Sequence, residues 1–304
     1  MKQMNLGFRA AFSLVELLVV IGILGILMGI LLAVTGGGTE SARAAKCMSN
    51  LRSLAQAANT AAMELGEYPP AGSYQTVGVG QGHMVYAEKR GWISWLSNNG
   101  DPFGHLEGNA KPTAPVSVEP AIYGEPNEEN RIFALTNGVI WKAGGKNADI
   151  YHCPTHLKEN ASANFSYVMN AKFGYDYSQG TKGVSGGVSY GSLQRADRVL
   201  MFAEVGGGGS DKWGKDCTLQ YKASVNGHEY GKNWDGTPES IGFTHKGNKG
   251  RKVAHVAFAD GHTEKLLEPR GEGGLKKEDL TALLCEGKDL SFNGSAYEEI
   301  KETD

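Results

Sequence analysis

Residues 12–34 read FSLVELLVVIGILGILMGILLAV, and this run constrains the chain more than any other feature. Eighteen of the 23 residues are apolar and Glu16 is the only charge. As a helix the run would be about 35 Å long, enough to cross a hydrocarbon core of about 30 Å. Gly22, Gly25 and Gly29 are better tolerated in such a helix than in a soluble one. Before it stands MKQMNLGFRAA, with Lys2 and Arg9 and no acid, so this end is expected to stay cytoplasmic while the remainder is exported. A cleaved secretory signal would have an apolar core of only ~7–15 residues and a small-x-small site after it. The core here is longer, and Ala33-Val34-Thr35 is a poor site. A plain anchor explains the length but not Glu16, because a carboxylate inside an apolar helix costs several kcal/mol without a partner. Cleavage between Ala11 and Phe12 would make Glu16 the fifth residue of the mature chain. One subunit's Glu16 could then neutralise the Phe12 ammonium of the next.

The phrase FSLVELLVVIGIL is very similar to the cleavage and methylation segment of type IV prepilins and type II secretion pseudopilins. That resemblance implies a membrane prepilin peptidase cutting before Phe12 and methylating its amine, then assembly driven by Glu16. Ala11 stands where the family usually has glycine. Cleavage at Gly7-Phe8 instead would place Phe12 at the fifth position and strand Glu16, so that register is rejected.

A second helix is predicted over 39–65. Ala44, Cys47, Leu51, Leu54, Ala58, Ala61 and Leu65 recur at spacings of three and four, opposite Glu40, Arg43, Lys46, Arg52, Gln56 and Asn59. Gly66 and Pro69-Pro70 supply the stop. The triplet Gly36-Gly37-Gly38 is expected to interrupt the helix between its two halves. KCMSNLRSLAQAA also resembles pilin-like relatives from planctomycete, verrucomicrobial and lentisphaeral genomes.

Past residue 67 the chain turns rich in Gly, Tyr, Trp and Asn, with short β-prone runs at 92–96, 138–141, 166–170, 198–204 and 217–223. In RKVAHVAFADGHTEKLLE, the runs 253–259 and 262–267 flank Asp260-Gly261, which predicts a hairpin with a two-residue turn. Residues 105–130, rich in Pro and Glu, read as a surface loop. Residues 275–286 read as a short amphipathic helix, and the chain from Gly287 as a mobile acidic tail. The family resemblance extends here: its C-terminal signature is a histidine, nine residues, then Asp-Gly, in a phrase like FADGH. Here FADGH stands at 258–262, but the nearest matching histidine, His245, lies fifteen before Asp260, so GNKGRK reads as a local insertion. YHCPTH at 151–156 and FSYVMN at 165–170 resemble the family's Cys-Pro and Ser-Tyr-x-x-Asn region.

Several groupings invite an enzymatic or metal reading and are declined on spacing. His245, His255, Asp260 and His262 fit no zinc template and are assigned turn and surface roles. Cys153-Pro-Thr-His156 has no second ligand pair. Gly183-Val-Ser185-Gly-Gly187 matches a nucleophile elbow, yet no helix start follows it. No metal and no cofactor is therefore assigned. Calcium at Glu125–Glu129, suggested by the pseudopilin resemblance, has no ligand pattern behind it. Four cysteines suit an oxidising compartment. Cys47 on the apolar helix face and Cys153 in the family-like segment are expected to pair, leaving Cys217 with Cys285, although three connectivities are open.

Net charge −3 and an acidic tail leave no cationic surface for nucleic acid. The expectation is an α+β, pilin-like chain. It comprises a leader (1–11), a transmembrane and polymerisation helix (12–35) and an amphipathic spine helix (36–66). The spine packs on an antiparallel β-rich extracytoplasmic domain (67–274), and a short helix and tail follow (275–304). It is read as a non-catalytic structural subunit of a type IV pilus or type II secretion pseudopilus, single-pass in the inner membrane. Implied partners are the prepilin peptidase, other pilin or pseudopilin subunits, an inner-membrane assembly platform and the lipid bilayer. The rival reading is a monomeric anchored surface protein whose ectodomain binds a ligand such as a glycan.

Overall fold

The computed structural model describes residues 13–71, 75–79, 82–86, 91–93, 132, 135–136, 138–160, 163, 165–173, 188–206, 218–219, 224–225, 228–229, 239–247, 250–269, 275–293 and 296–300, side chains at 29–38 and in the strands before 87 and over 224–229 excepted. The chain divides into two compact units, residues 1–42 and 43–304. In chain order the elements are α1 (Leu14–Leu65), β1 (Gln75–Val79), β2 (Gly82–Tyr86), α2 (Pro154–Glu159), β3 (Tyr167–Asn170), β4 (Leu200–Glu204), β5 (Thr218–Leu219), β6 (Ser224–Val225), β7 (His228–Glu229), β8 (His245–Lys246), β9 (Lys252–Phe258), β10 (Thr263–Leu267), α3 (Lys277–Glu286), β11 (Leu290–Phe292) and β12 (Tyr297–Glu299).

In the first unit, α1 opens on a capping box. Ser13 Oγ accepts from the Val15 amide at 3.3 Å, and Glu16 Oε2 accepts from the Ser13 amide at 2.9 Å. Twelve large apolar side chains between Leu14 and Met28 are all 48% or more exposed. Among the described residues no helix is long and apolar enough to cross a membrane. The expected break at Gly36-Gly37-Gly38 is absent, since α1 is helical throughout its 52 residues. Three glycines weaken a helix by roughly 1 kcal/mol each relative to alanine, which long flanking segments of strong helix formers can outweigh.

In the second unit, the rest of α1 lies on one face of a six-stranded sheet ordered β10-β9-β4-β3-β5, with β8 also pairing β9. Neighbours are antiparallel except β3 and β5. The expected helix face is buried at Cys47, Leu51, Leu54, Ala58 and Ala61, against Tyr167, Met169, Phe202 and Ala257 of the sheet. Leu65, at the end of the stripe, is exposed. On the opposite face Val168, Leu200, Ala203, Ala254 and Val256 pack against Leu280, Leu284 and Cys285 of α3. A bulge shifts the register between Leu200 and Phe202, so Met201 and Phe202 both join the α1 side. Buried on both faces, these strands carry runs of apolar residues that a period-two search locates only approximately.

Runs 166–170, 198–204, 253–259 and 262–267 became β3, β4, β9 and β10, and 275–286 became α3, ended by Gly287 at φ +78°. Residues 138–141 form turns, not a strand, with the Gly138 amide closing on Leu135. Of 92–96 and 217–223, only 92–93 (a bend) and 218–219 (β5) are described. The loop 105–130 lies outside the described residues. The tail after Gly287 is not a free end, because β11 and β12 pair antiparallel, with Phe292 and Tyr297 in ring contact at 4.7 Å. Asp260-Gly261 is part of a three-residue loop, not a two-residue one. Phe258 N donates to His262 O, Gly261 N to Phe258 O, and Gly261 alone of the pair has positive φ, +92°.

Candidate functional site

The register of the sheet assembles a buried polar cluster under α1. Tyr167 of β3 lies opposite Glu204 of β4. Ala203 pairs with Val256, so Glu204 stands opposite His255 of β9. The three form one lateral row, and successive strand residues alternate faces, so all three project toward α1. Beside this row β8 brings His245 opposite Val253, and the His245 and His255 rings meet edge to face at 4.4 Å. From above, α1 contributes Cys47; Cys153 enters from the residue that precedes α2.

Glu204 is the hub. Its Oε1 accepts from His245 Nε2 at 2.9 Å, His255 Nδ1 at 3.1 Å and the Cys47 thiol at 2.7 Å; its Oε2 accepts from the Thr244 hydroxyl at 2.9 Å. Cys153 Sγ lies 3.3 Å from His245 Nε2, and His245 Nδ1 is 3.2 Å from Thr155 Oγ1. The Tyr167 hydroxyl donates to Cys47 Sγ at 3.2 Å. Cys47, Cys153, Glu204, His245 and His255 are each at most 1% exposed.

These contacts set the charges. Burial pushes the Glu204 carboxyl up, but the imidazoles of His245 and His255 outweigh it and hold the group at about 2. Burial alone would lower His245; its bonds with Cys153 and Glu204 raise it to about 10. A hydrogen bond with Cys47 draws the Cys153 thiol down to about 6, against burial and with help from His245. Cys47 is raised well above the ordinary thiol range, first by burial, then by Cys153 and Glu204. The shifts favour a charged Glu204 and a protonated His245, and make the Cys153 thiol more acidic than that of Cys47.

Surface and turn roles therefore do not describe His245 and His255, which are core residues. They do describe Asp260 and His262, whose side chains meet at 2.6 Å on the hairpin loop. The loop docks on α1 through Asn59, whose amide donates to the Ala259 carbonyl at 3.0 Å. In the Ser-Tyr-x-x-Asn segment, Ser166 Oγ pairs with His156 Nδ1 at 2.8 Å, and Asn170 Nδ2 donates to the carbonyls of Leu200 and Cys285. The His156 side chain is thus engaged by Ser166, while its backbone N–H helps to lower the Cys153 thiol.

The expected disulfide staple between Cys47 and Cys153 is not formed, although the two share the cluster; Cys47, Cys153 and Cys285 are free thiols. Cys285 lies with α3 on the far face of the sheet, and Cys217 lies outside the described residues. So do Ala11, Phe12, the calcium candidate at 125–129 and the elbow-like segment at 183–187. The spacing of the cluster, 47, 153, 204 and 245, matches no short motif, so only the folded register could show it. Glu16 is placed in the capping box, a signal readable as Ser-x-x-Glu before an apolar run.

Comparison with known proteins bears on the N-terminus. Residues 8–32 match the prokaryotic N-terminal methylation motif, so the chain carries a prepilin-type N-terminal segment. No curated protein and no solved structure matches the chain.

Proposed function

We propose that this chain is a non-catalytic, pilin-like subunit of a type IV pilus or type II secretion pseudopilus, processed before Phe12 and polymerised through its N-terminal helix. The methylation motif over residues 8–32 carries the reading. The first unit supports it, since side chains from Leu14 to Met28 are exposed all around the helix and demand lipid or sister helices as cover. The apolar run at 12–34 would anchor the precursor in the inner membrane, with residues 1–11 cytoplasmic and the β-rich domain exported.

Prepilin peptidase would cut between Ala11 and Phe12 and methylate the new amine. Glu16 then leaves its bond to the Ser13 amide and pairs with the Phe12 ammonium of a neighbouring subunit, which fixes helix register in the filament core. Other subunits and the inner-membrane assembly platform complete the partners.

N-terminal mass spectrometry tests the reading: the mature chain should begin with N-methyl-Phe12, and a chain retaining Met1 in cells with an active peptidase refutes it. A second experiment addresses Glu16. Glu16→Ala should cost about 1 kcal/mol at the helix start, be processed normally, and fail to enter filaments. Normal assembly of this variant would show that the carboxylate does not set the register.

A further inference from the structure

We propose that Cys47, Cys153, Glu204 and His245 form a closed, four-coordinate structural site for a zinc-class divalent metal ion, beneath α1 in the second unit. The inference is independent of the filament reading, because it concerns only residues of the second unit.

The donor set is the first support. Two sulfurs, one imidazole and one carboxylate are the ligand types that zinc takes in fours. Their ligand atoms all lie within 4.8 Å of one another. A tetrahedron with metal–sulfur bonds of about 2.3 Å and metal–nitrogen or –oxygen bonds of about 2.0–2.1 Å has edges of about 3.3–3.8 Å. The contacts at 2.7, 2.9 and 3.3 Å are hydrogen bonds along those same edges, and spreading them by less than about 1 Å admits the ion.

The surrounding groups are the second support, since each ligand already has the partner a metal ligand needs. The second nitrogen of His245 faces Thr155 Oγ1 at 3.2 Å, an oxygen able to accept its N–H when Nε2 ligates a metal. Glu204 keeps Oε2 on the Thr244 hydroxyl and takes the His255 Nδ1–H, while the Tyr167 hydroxyl steadies Cys47 Sγ. Four side chains of metal-ligating type, each at most 1% exposed, converge in the core with their ligand atoms facing one another. A dication offsets two thiolates directly. Loading is a proton exchange: the ion binds, any proton on a ligating thiol or on His245 Nε2 passes to solvent, and no electron is transferred.

The ligands come from α1, the approach to α2, β4 and β8, so one ion would join residues as far apart as 47 and 245. That is the staple for which the cysteines suggested a disulfide. All four positions are filled by protein, which leaves none for a reacting water and marks a structural site.

The test uses the full chain in detergent, purified without chelator or added metal. Elemental analysis should find one zinc per chain. Alkylation followed by peptide mass mapping should show Cys47 and Cys153 protected, both becoming reactive when a strong chelator is added in denaturant. Replacing the ion with Co²⁺ should give thiolate-to-metal charge-transfer absorption. Cys153→Ser and His245→Gln should each lower zinc affinity at least about 100-fold, more than the loss of an outer partner would. His262→Gln, on the hairpin loop, should leave it unchanged. A metal-free chain with Cys47 and Cys153 joined in a disulfide, or metal retained without change in the Cys153→Ser and His245→Gln variants, would overturn the proposal. The wild-type stoichiometry and thiol mapping decide the matter even if those variants fail to fold.

Discussion

At the scale of the residue, burial and partnership decide what each polar group does, and Tyr151 shows the case where partnership fails. Its ring stacks on Trp92 at 5.8 Å, but its hydroxyl is buried with no hydrogen-bond partner among the described residues. A buried, unpaired hydroxyl costs about 1–3 kcal/mol. Tyr151→Phe is therefore expected to stabilise the chain by about 1 kcal/mol, read as a higher midpoint in chemical denaturation. Burial also raises the Tyr151 phenol above its ordinary value, so the folded state favours the neutral form. That contribution is complete below the unfolded value of about 10 and is lost as pH rises through the folded one. The variant should lose less stability than wild type between about pH 10 and pH 12; equal losses would show that Tyr151 does not drive the alkaline transition. Sequence alone did not separate Tyr151 from its paired counterpart Tyr167, because the difference lies in what the fold brings to each hydroxyl. The same holds for His245 and His255, which spacing assigns to turns and the fold buries. Their spacing is that of a hairpin, while their burial comes from α1.

At the scale of the element, local pattern was legible where one face alone is buried. The three–four spacing from Ala44 to Ala61 located the face of α1 that meets the sheet, and Asp-Gly located the β9–β10 hairpin. It failed where a tertiary contact overrides local preference, as at Gly36-Gly37-Gly38, at the β4 bulge and at β11–β12 beyond Gly287. The α1 face is narrow because its contacts are largely alanines: Ala55, Ala57, Ala58, Ala61 and Ala62 are at most 4% exposed. Small side chains let the helix sit close to the sheet, and that closeness brings Cys47 within reach of Glu204. Ala58→Leu should overpack this contact and destabilise the chain by about 1–3 kcal/mol. It should also lift α1 enough to expose the Cys47 thiol, so faster alkylation of Cys47 in the folded state is the diagnostic readout. A fully stable variant with Cys47 still protected would mean the interface has slack the packing does not show.

At the scale of the whole molecule, the averages conceal a partition. A mean hydropathy of −0.32 combines an apolar N-terminal run with a polar, glycine-rich domain. The described apolar side chains of the first unit are exposed, whereas both hydrophobic clusters and the thiol–imidazole–carboxylate cluster belong wholly to residues 43–304. The N-terminal motif marked the methylation segment; nothing in the spacing of the remaining 262 residues foretold the buried cluster that the sheet register creates. It follows that the second unit has everything its own core requires. A chain restricted to residues 43–304 should be soluble without detergent and monomeric, and should unfold in one cooperative transition. Starting it at residue 66 instead removes Cys47, Leu51, Leu54 and the buried alanines, uncovers one face of the sheet, and should abolish cooperative unfolding. Circular dichroism melts of the two truncations against the full chain make the comparison. If the shorter one folds as well as the longer, then α1 does not complete the core and the cluster beneath it cannot be a structural centre.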